Sequence, residues 1–161
     1  MKRAGVLAAQ AAPGDAAMAD LLRRCRTVAV VGMSAEPAKP SYFVPAEMQA
    51  KFRKRIVPVR PPIAGTTLLL GEPIVPTLAA MVADGGPLPV AELPATIVNV
   101  FRRPADVADV VRAALALPAK PLAIWCQQGV TSAEGKALAA AAGVPYVEDL
   151  CLKLEARRLL Q

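Results

Sequence analysis

Thr27-Val28-Ala29-Val30-Val31-Gly32-Met33-Ser34 is the stretch that decides the fold. Its run of small and branched apolar residues ends at a glycine, and small polar residues and prolines follow as far as Tyr42. A short, uninterrupted apolar run of this kind is typical of a strand that is buried on both faces of a parallel sheet. The stretch therefore predicts a first strand that opens into a ligand-binding loop.

The segments on either side of this stretch alternate between strand-like and helix-like patterns. Further strands are predicted at 56–59, 96–101, 122–126 and 144–147, with a brief edge strand at 73–75. Helices are predicted at 20–26, 45–53, 77–82, 104–117, 132–142 and 150–160. Such alternation predicts an α/β fold with a doubly wound, mainly parallel sheet of five to six strands and right-handed crossovers.

Composition limits the domain organisation and the classes of function. The 161 residues are 55% hydrophobic, which is enough apolar surface for one hydrophobic core. We expect one domain over 20–161, preceded by a flexible N-terminal tail over 1–19. No apolar run approaches the roughly 18 residues of a membrane span, so a membrane role is not expected. The chain has no His and only three widely spaced Cys residues, which argues against a metal site and a disulfide framework and favours the cytoplasm.

The net charge of +6 raises the possibility of nucleic-acid binding. Only six aromatic residues are present (one Trp, two Tyr and three Phe), and they are not interleaved with basic residues. Stacking platforms for bases are therefore lacking, and no nucleic-acid partner is expected.

Ligands of doubly wound sheets bind beyond the carboxyl ends of the strands, where the strand order reverses. This rule selects five segments of the chain as candidates for the site. They are 32–42, 59–61, 101–103, 127–130 and 148–151.

The loop after the first strand differs from the dinucleotide fingerprint Gly-x-Gly-x-x-Gly. Only Gly32 of the three glycines is present, and the second predicted strand is followed by Arg60 instead of ending in an acidic residue. Both departures argue against NAD, since the missing glycines limit the approach of a diphosphate and an Arg favours an additional phosphate over a ribose diol. NADP and coenzyme A, which both carry such a phosphate, remain as candidate ligands. Alternatively, Arg60 is simply a surface cation.

Several motifs in their order along the chain resemble one family. They are Val28 to Ser34, the Lys-Pro-Ser-Tyr of 39–42, Ile-Val-Pro-Val at 56–59, Leu-Leu-Gly-Glu at 69–72, Val-Phe-Arg-Arg at 100–103, Trp-Cys-Gln-Gln-Gly-Val at 125–130 and Asp-Leu-Cys-Leu-Lys-Leu-Glu at 149–155. Over about residues 21–159 the chain resembles the small single-domain coenzyme A-binding proteins, whose Rossmann-like fold is similar to the CoA-binding domain of the succinyl-CoA synthetase α subunit. Leu150 stands where members of the family commonly carry Arg.

The resemblance implies coenzyme A as the ligand and a set of residues that bind it. Gly32, Met33 and Ser34 would approach the diphosphate, with Lys39, Ser41 and Tyr42 at the following helix. Val59 and Arg60 would border the adenosine, Phe101 and Arg102 would cross the strand ends, and Gln127, Gly129 and Val130 would line the pantetheine. Cys151 would lie near the coenzyme thiol.

Some of these residues have simpler alternative roles. Ser41 could cap the helix, Arg102 could pair with Asp106 or Asp109, and Gln127 could cap the helix that starts near Ser132. Cys151 is either a buried thiol or the partner of the coenzyme in a mixed disulfide. The large aromatic Trp125 and the neighbouring Cys126 are expected in the core.

The predicted function is non-catalytic, reversible binding of coenzyme A or an acyl-CoA, since no combination of nucleophile, base and orienting group is visible. The alternative is an NADP-dependent reductase or an NADP-binding module. A reductase would need a proton donor, for which only Tyr42 and Tyr146 are available.

Overall fold

The computed structural model describes residues 11–161, and its centre is a five-stranded parallel sheet flanked by helices. The sheet strands are β1 (Thr27–Val31), β2 (Arg55–Val59), β5 (Thr96–Val100), β6 (Ala123–Cys126) and β7 (Tyr146–Val147). A separate antiparallel pair consists of β3 (Leu68–Leu69) and β4 (Glu72–Pro73). The helices are α1 (Asp15–Arg24), α2 (Pro40–Phe52), α3 (Leu78–Val82), α4 (Val107–Leu115), α5 (Ala133–Ala142) and α6 (Leu152–Leu159), with 3-10 turns at Val90–Ala95 and Pro104–Asp106.

The strand order in the sheet is β2-β1-β5-β6-β7. The chain therefore builds outward from β1 in one direction to β2 and then in the other direction to β5. In the register, Val31 lies between Val59 and Val100. The carboxyl ends of β1 and β5 consequently diverge at the reversal of strand order, which is where doubly wound sheets bind ligands. The predicted doubly wound α/β fold is confirmed.

Two apolar clusters cover the two faces of the sheet. One contains side chains from α1, α2 and α6, including Leu22, Met48 and Leu152. The other contains side chains from α3, α4 and α5, including Met81 and Val111. Because alternate residues of each strand point to opposite faces, a strand buried on both faces reads as one continuous apolar run. This explains why β1 could be recognised from sequence.

Two helices begin earlier than the sequence analysis predicted. Helix α1 starts at Asp15, and Met18 and Ala19 are buried, so a flexible tail extending to residue 19 is wrong for 15–19. The part of that predicted tail at 1–10 lies outside the described residues. The apolar side chains of α1 pack against the sheet and α6, and this packing stabilises the helix. The sequence of 15–19 has no clear pattern of apolar residues at helical spacing, so the first turn of α1 was not predicted.

Helix α2 starts at Pro40 rather than at residue 45. Pro40 occupies the first helical position, where its missing N–H costs nothing, and Pro45 lies inside the helix and is buried. The prediction placed Pro45 in the first turn because proline usually marks a helix start. In the structure Pro40 takes that position, so Ser41 and Tyr42 are helical residues.

Pro58 lies within β2 although proline cannot donate to a strand ladder. Strand β2 is at the edge of the parallel sheet, and the Pro58 carbonyl accepts a hydrogen bond from the Val75 N–H at 3.0 Å. The missing N–H of Pro58 therefore faces the outer edge, and the ladder with β1 loses no bond. The predicted edge strand at 73–75 is replaced by the β3–β4 pair and a single bridge between Val75 and Val59.

The remaining boundaries shift by a few residues. Strand β7 is limited to two residues, the helix predicted over 104–117 begins as a 3-10 turn, and α6 starts at Leu152. The predicted caps of α3 and α5 are confirmed: Thr77 Oγ1 accepts from the Ala80 N–H at 3.1 Å, and Gly143 ends α5 with a φ of 70°. Within residues 11–161, the helices are too short or too polar to cross a membrane.

Candidate functional site

Gly32 brings the loop after β1 into contact with the end of β5. Its N–H donates to the Val59 carbonyl at 2.9 Å, and the Phe101 N–H donates to the Val31 carbonyl at 2.9 Å. Gly32 has a φ of +87°, and a Cβ at this position would overlap the Phe101 carbonyl oxygen and lie 3.2 Å from Arg102 Cδ. Glycine is required here both for its backbone conformation and for the close approach of the two loops.

The residues after Gly32 present unpaired backbone donors at the reversal of strand order. Within residues 11–161, the N–H groups of Met33, Ser34 and Ala35 have no hydrogen-bond acceptor. The Ser34 Oγ accepts from the Glu36 N–H at 3.0 Å, which shapes the loop. Successive backbone N–H groups without acceptors are potential donors to anions. The loop can therefore receive a phosphate group through its backbone.

Two residues predicted to bind the ligand point into the core instead. The Met33 side chain is 1% exposed and the Val59 side chain is 3% exposed. They lie in opposite apolar clusters, on the two faces of the sheet. Met33 can contact a ligand only through its backbone, and the Val59 carbonyl is already occupied by Gly32. Val59 ends β2, and the alternation of side chains along that strand turns it inward, whereas Met33 follows the turn at Gly32 and is packed into the core by the loop.

Arg60 joins the end of β2 to the loop after β1. Its Nη1 donates to the Met33 carbonyl at 3.0 Å and its Nε donates to the Pro61 carbonyl at 3.0 Å. In the part of the chain that the structure describes, no carboxylate forms an ion pair with Arg60. Its positive charge is thus directed at the loop and is not neutralised by a neighbour.

The start of α2 lies directly after the loop. Lys39 is the N-cap residue, without a side-chain cap, and its Nζ lies 2.9 Å from the Glu36 carboxylate. Ser41 follows Pro40 in the first turn, so the alternative that Ser41 caps this helix is wrong. Tyr42 is half-buried and packs against the α2 side of the core. The positive end of the helix dipole and the ammonium of Lys39 are both near the loop.

The end of β5 carries two arginines that share one carboxylate. Arg102 Nη2 lies 3.3 Å and Arg103 Nε 3.1 Å from Asp106 Oδ2, so the predicted alternative pairing of Arg102 with Asp106 is confirmed. The hydrogen bond from Arg103, with the charge of both arginines, lowers the pKa of Asp106. Phe101 and these three residues line an open cavity of 340 Å³. Two cations face one anion, so this cavity keeps a net positive charge.

The loop after β6 is tied to the segment before α6. Asp149 Oδ1 accepts from the Gly129 N–H at 2.7 Å, and the Asp149 N–H donates to the Val130 carbonyl at 3.2 Å. Asp149 adopts a left-handed backbone with a φ of 57°, which Asp tolerates better than most residues. Sequence reasoning did not identify Asp149 as a site residue, although its segment was among those selected by the strand-end rule.

Gln127 holds a different helix from the one predicted. Its Oε1 accepts from the Leu152 N–H at 3.3 Å, in the first turn of α6. Helix α5 is capped by the Ser132 Oγ, which accepts from the Gly135 N–H at 3.0 Å. The alternative in which Gln127 caps the helix near Ser132 is therefore wrong. Only the tertiary structure brings positions 127 and 152 together.

A second cavity lies between α2, α6 and the loop after β6. Its volume is 260 Å³, and it adjoins the loop site at Pro40 and Gln127. Cys151 lines this cavity and is 9% exposed. The lining also includes the aromatic ring of Phe43, which is partly exposed. The structure thus places Cys151 beside the candidate site, on the same side as Gln127.

Trp125 and Tyr146 are core residues. Trp125 is fully buried and its Nε1 donates to the Leu150 carbonyl at 2.8 Å, as expected of a buried indole. Tyr146 is 5% exposed, its OH lies 3.0 Å from Glu148 Oε2, and burial strongly raises its pKa. Tyr146 is therefore poorly suited to donate a proton to a ligand. No cluster of three or more metal-ligating side chains occurs within residues 11–161.

Burial of two thiols predicts how stability depends on alkaline pH. Desolvation raises the pKa of both Cys25 and Cys126 from 9.0 to about 11. Between pH 9 and 11 the unfolded chain therefore releases thiol protons that the folded protein keeps, and stability falls as the pH rises. The loss is up to ~1.4 kcal/mol per pH unit for each thiol.

Urea unfolding of the reduced protein at pH 8, 9, 10 and 11 measures this effect. We expect the Cys25→Ala variant to lose less stability between pH 9 and 11 than the unmodified protein, by ~2 kcal/mol. Groups other than Cys25 titrate equally in both proteins and cancel in the comparison. Identical pH profiles for the two proteins would show that Cys25 does not contribute.

Comparisons with known proteins agree with this architecture. Residues 26–157 match the family model described as a CoA binding domain. The chain is 32% identical over 142 residues to the uncharacterized protein YneT of Bacillus subtilis (strain 168), which covers 88% of this chain and 93% of that protein. A solved structure from Thermus thermophilus is 30% identical, with a TM-score of 0.76 over 91% of this chain and 99% of that chain. A hypothetical protein from Pyrococcus horikoshii OT3, 23% identical with a TM-score of 0.75 over 92% of this chain and 94% of its own, shares the fold.

Proposed function

We propose that this protein, which belongs to the CoA-binding domain family, reversibly binds coenzyme A or an acyl-CoA without catalysing a reaction. The observation that carries the proposal is the row of unpaired N–H groups at 33–35, beside the unneutralised charge of Arg60. All three cysteines are free thiols, which suits the reducing cytoplasm as the location.

The diphosphate would lie on the loop after β1. The backbone N–H groups of Met33, Ser34 and Ala35 supply donors, and the N-terminus of α2 supplies positive potential. Lys39 would exchange its contact with Glu36 for one with the phosphate. Gly32 lets this loop lie against the backbone at the end of β5, which sets the position of these donors.

The two ends of the coenzyme would extend in opposite directions from the diphosphate. Toward β2, Arg60 can pair with the phosphate on the adenosine ribose, which is the group that separates coenzyme A from its dephosphorylated form. The Arg102 cavity is the other cationic surface available to a phosphate. Toward β6, Gln127 and the neighbouring Gly129 border the path of the pantetheine arm to the cavity beside Cys151.

Isothermal titration calorimetry of the reduced protein tests this function. Coenzyme A, dephospho-coenzyme A, NADP and NAD are titrated in turn. We expect micromolar binding of coenzyme A and weaker binding of the dephosphorylated form. Heat with NADP and none with coenzyme A would instead support an NADP-binding module.

Arg60→Gln is expected to weaken coenzyme A binding about tenfold or more, because it removes a charge-assisted hydrogen bond to phosphate. The same substitution should change the affinity for dephospho-coenzyme A much less. Calorimetry with both ligands measures the difference. Arg23→Gln is the matched control because it changes the net charge equally. Arg23 is exposed on α1, next to the amino end of β1, whereas the candidate site lies at the carboxyl end. An equal loss for both ligands would place Arg60 away from the ribose phosphate.

A further inference from the structure

We infer that the cavity between α2 and α6 receives the acyl group of a short, uncharged acyl thioester, with the side-chain amide of Gln127 donating to the thioester carbonyl. This inference rests on the proposed function, and it names the class of ligand that the site prefers. It depends on the cavity, on the unpaired amide nitrogen of Gln127 and on the apolar side chains that line the cavity.

The cavity has the size and lining of a subsite for a small apolar group. Its 260 Å³ is below the ~300–1,000 Å³ of sites that take drug-sized molecules, so it suits one end of a larger ligand. Apolar side chains of Phe43, Val44 and Leu154 form its walls. Phe43 is 39% and Leu154 47% exposed, so apolar surface at its mouth remains to be covered.

Gln127 directs a hydrogen-bond donor to this cavity. Gln127 as a whole residue is 6% exposed, and its Oε1 accepts from the Leu152 N–H. Because only the carbonyl oxygen of the amide can accept that bond, Nε2 is the other atom of the pair. Among the described residues Nε2 donates to no acceptor, and it is not a fully buried atom, so it remains accessible to solvent where Gln127 lines the cavity. A carbonyl oxygen of a ligand in the cavity can therefore accept a hydrogen bond from Nε2 in place of water.

The apolar walls of the cavity favour an uncharged acyl group, because a carboxylate that enters them loses its hydration. No carboxylate lines the cavity, and Lys153 is its only charged lining residue. The Lys153 ammonium lies 4.9 Å from the centre of the Phe43 ring and 3.9 Å from Glu47 Oε2. Glu47 is bound more closely by Arg157, at 2.6 Å, so two cations share this carboxylate. A carboxylate on the acyl group could pair with Lys153, but it would lose its hydration between the apolar walls, and that loss outweighs a single ion pair.

The position of the cavity relative to the proposed coenzyme site completes the argument. Pro40 begins the helix that follows the proposed phosphate-binding loop. Gln127 follows β6, in the direction proposed for the pantetheine arm. Both residues line the cavity. A pantetheine arm that leaves the loop toward β6 therefore ends there, with its thioester next to Gln127.

The affinities of the protein for coenzyme A, acetyl-CoA, butanoyl-CoA, hexanoyl-CoA and succinyl-CoA, measured by calorimetry, test the inference. Binding should strengthen from coenzyme A to butanoyl-CoA, by up to about fourfold for each added methylene that is buried. Succinyl-CoA should bind more weakly than butanoyl-CoA. Equal affinities across the series, or tightest binding of succinyl-CoA, would overturn the inference.

Two variants separate the carbonyl contact from the apolar contact. Gln127→Glu keeps an oxygen for the Leu152 N–H but replaces the free donor with an acceptor, so the preference for butanoyl-CoA over coenzyme A should fall about tenfold. Leu154→Ala, at a half-exposed position, should reduce the same preference about threefold. Leu68→Ala is the control, because Leu68 is 55% exposed and lies in the separate β3–β4 pair.

The outcomes distinguish this inference from the proposed function. Absence of coenzyme A binding in the unmodified protein contradicts the proposed function itself. Coenzyme A binding with no dependence on the acyl group contradicts the inference alone. If circular dichroism shows that Gln127→Glu does not fold, the acyl series and the Leu154→Ala variant still test the inference. An unchanged preference for butanoyl-CoA in Leu154→Ala would contradict the apolar subsite.

Discussion

Replacing Gly32 with alanine is expected to abolish detectable coenzyme A binding and to lower the free energy of unfolding by ~2–4 kcal/mol. About 1–2 kcal/mol comes from holding a residue with a Cβ at a φ of +87°. The rest comes from the overlap of that Cβ with the Phe101 carbonyl, since the chain can relieve the overlap only by moving one loop away from the other. This movement displaces the N–H groups at 33–35, so binding is lost together with stability.

Urea unfolding measures the change in stability, and calorimetry measures binding. The matched control is Gly71→Ala in the turn between β3 and β4. Gly71 also has a positive φ, of +80°, but a Cβ there meets no atom within 4 Å. Gly71→Ala should therefore cost only the conformational part, ~1–2 kcal/mol, and leave coenzyme A binding unchanged. Equal losses of stability and intact binding in both variants would contradict the close approach at Gly32.

The second large effect is expected for Trp125→Ala, at ~3–5 kcal/mol of lost stability. Trp125 is fully buried in β6, and removing its ring leaves a cavity between the sheet and the α2–α6 side of the core. The substitution also removes the donor to the Leu150 carbonyl. That carbonyl belongs to the segment that leads to Cys151 and α6, so the cavity proposed for the acyl group should lose its shape as well.

Trp125→Phe serves as the comparison for this prediction. It keeps most of the buried ring but not the indole N–H, so its cost should be smaller than that of Trp125→Ala, by ~1–2 kcal/mol or more. Circular dichroism follows the unfolding of both variants, because Trp125 is the only Trp in the chain and fluorescence is lost with it. If Trp125→Ala were tolerated with less than ~1 kcal/mol of loss, the core of this sheet would be far more adaptable than its packing indicates.

Local sequence patterns were sufficient for the fold class. The apolar run of β1, the helical periodicity of α4 and the caps at Thr77 and Gly143 are all signals carried by neighbouring residues, and the structure contains each of them. The place of the candidate site in this fold was also predictable. Once the strands are parallel and wound in two directions from β1, their carboxyl ends must diverge next to Gly32.

The sequence by itself therefore determined the doubly wound sheet, the loop at Gly32 and the positive charge beside it. Only the tertiary structure decided which atoms face that loop. The Val59 side chain turns into the core because the pleat of β2 sends alternate side chains to opposite faces, and Met33 is packed into the core by the loop that follows Gly32. Gln127 meets Leu152 because the loop after β6 and the first turn of α6 come together. These pairings join positions far apart in the chain, and a local pattern holds no information about contacts that form only when the sheet and its helices close.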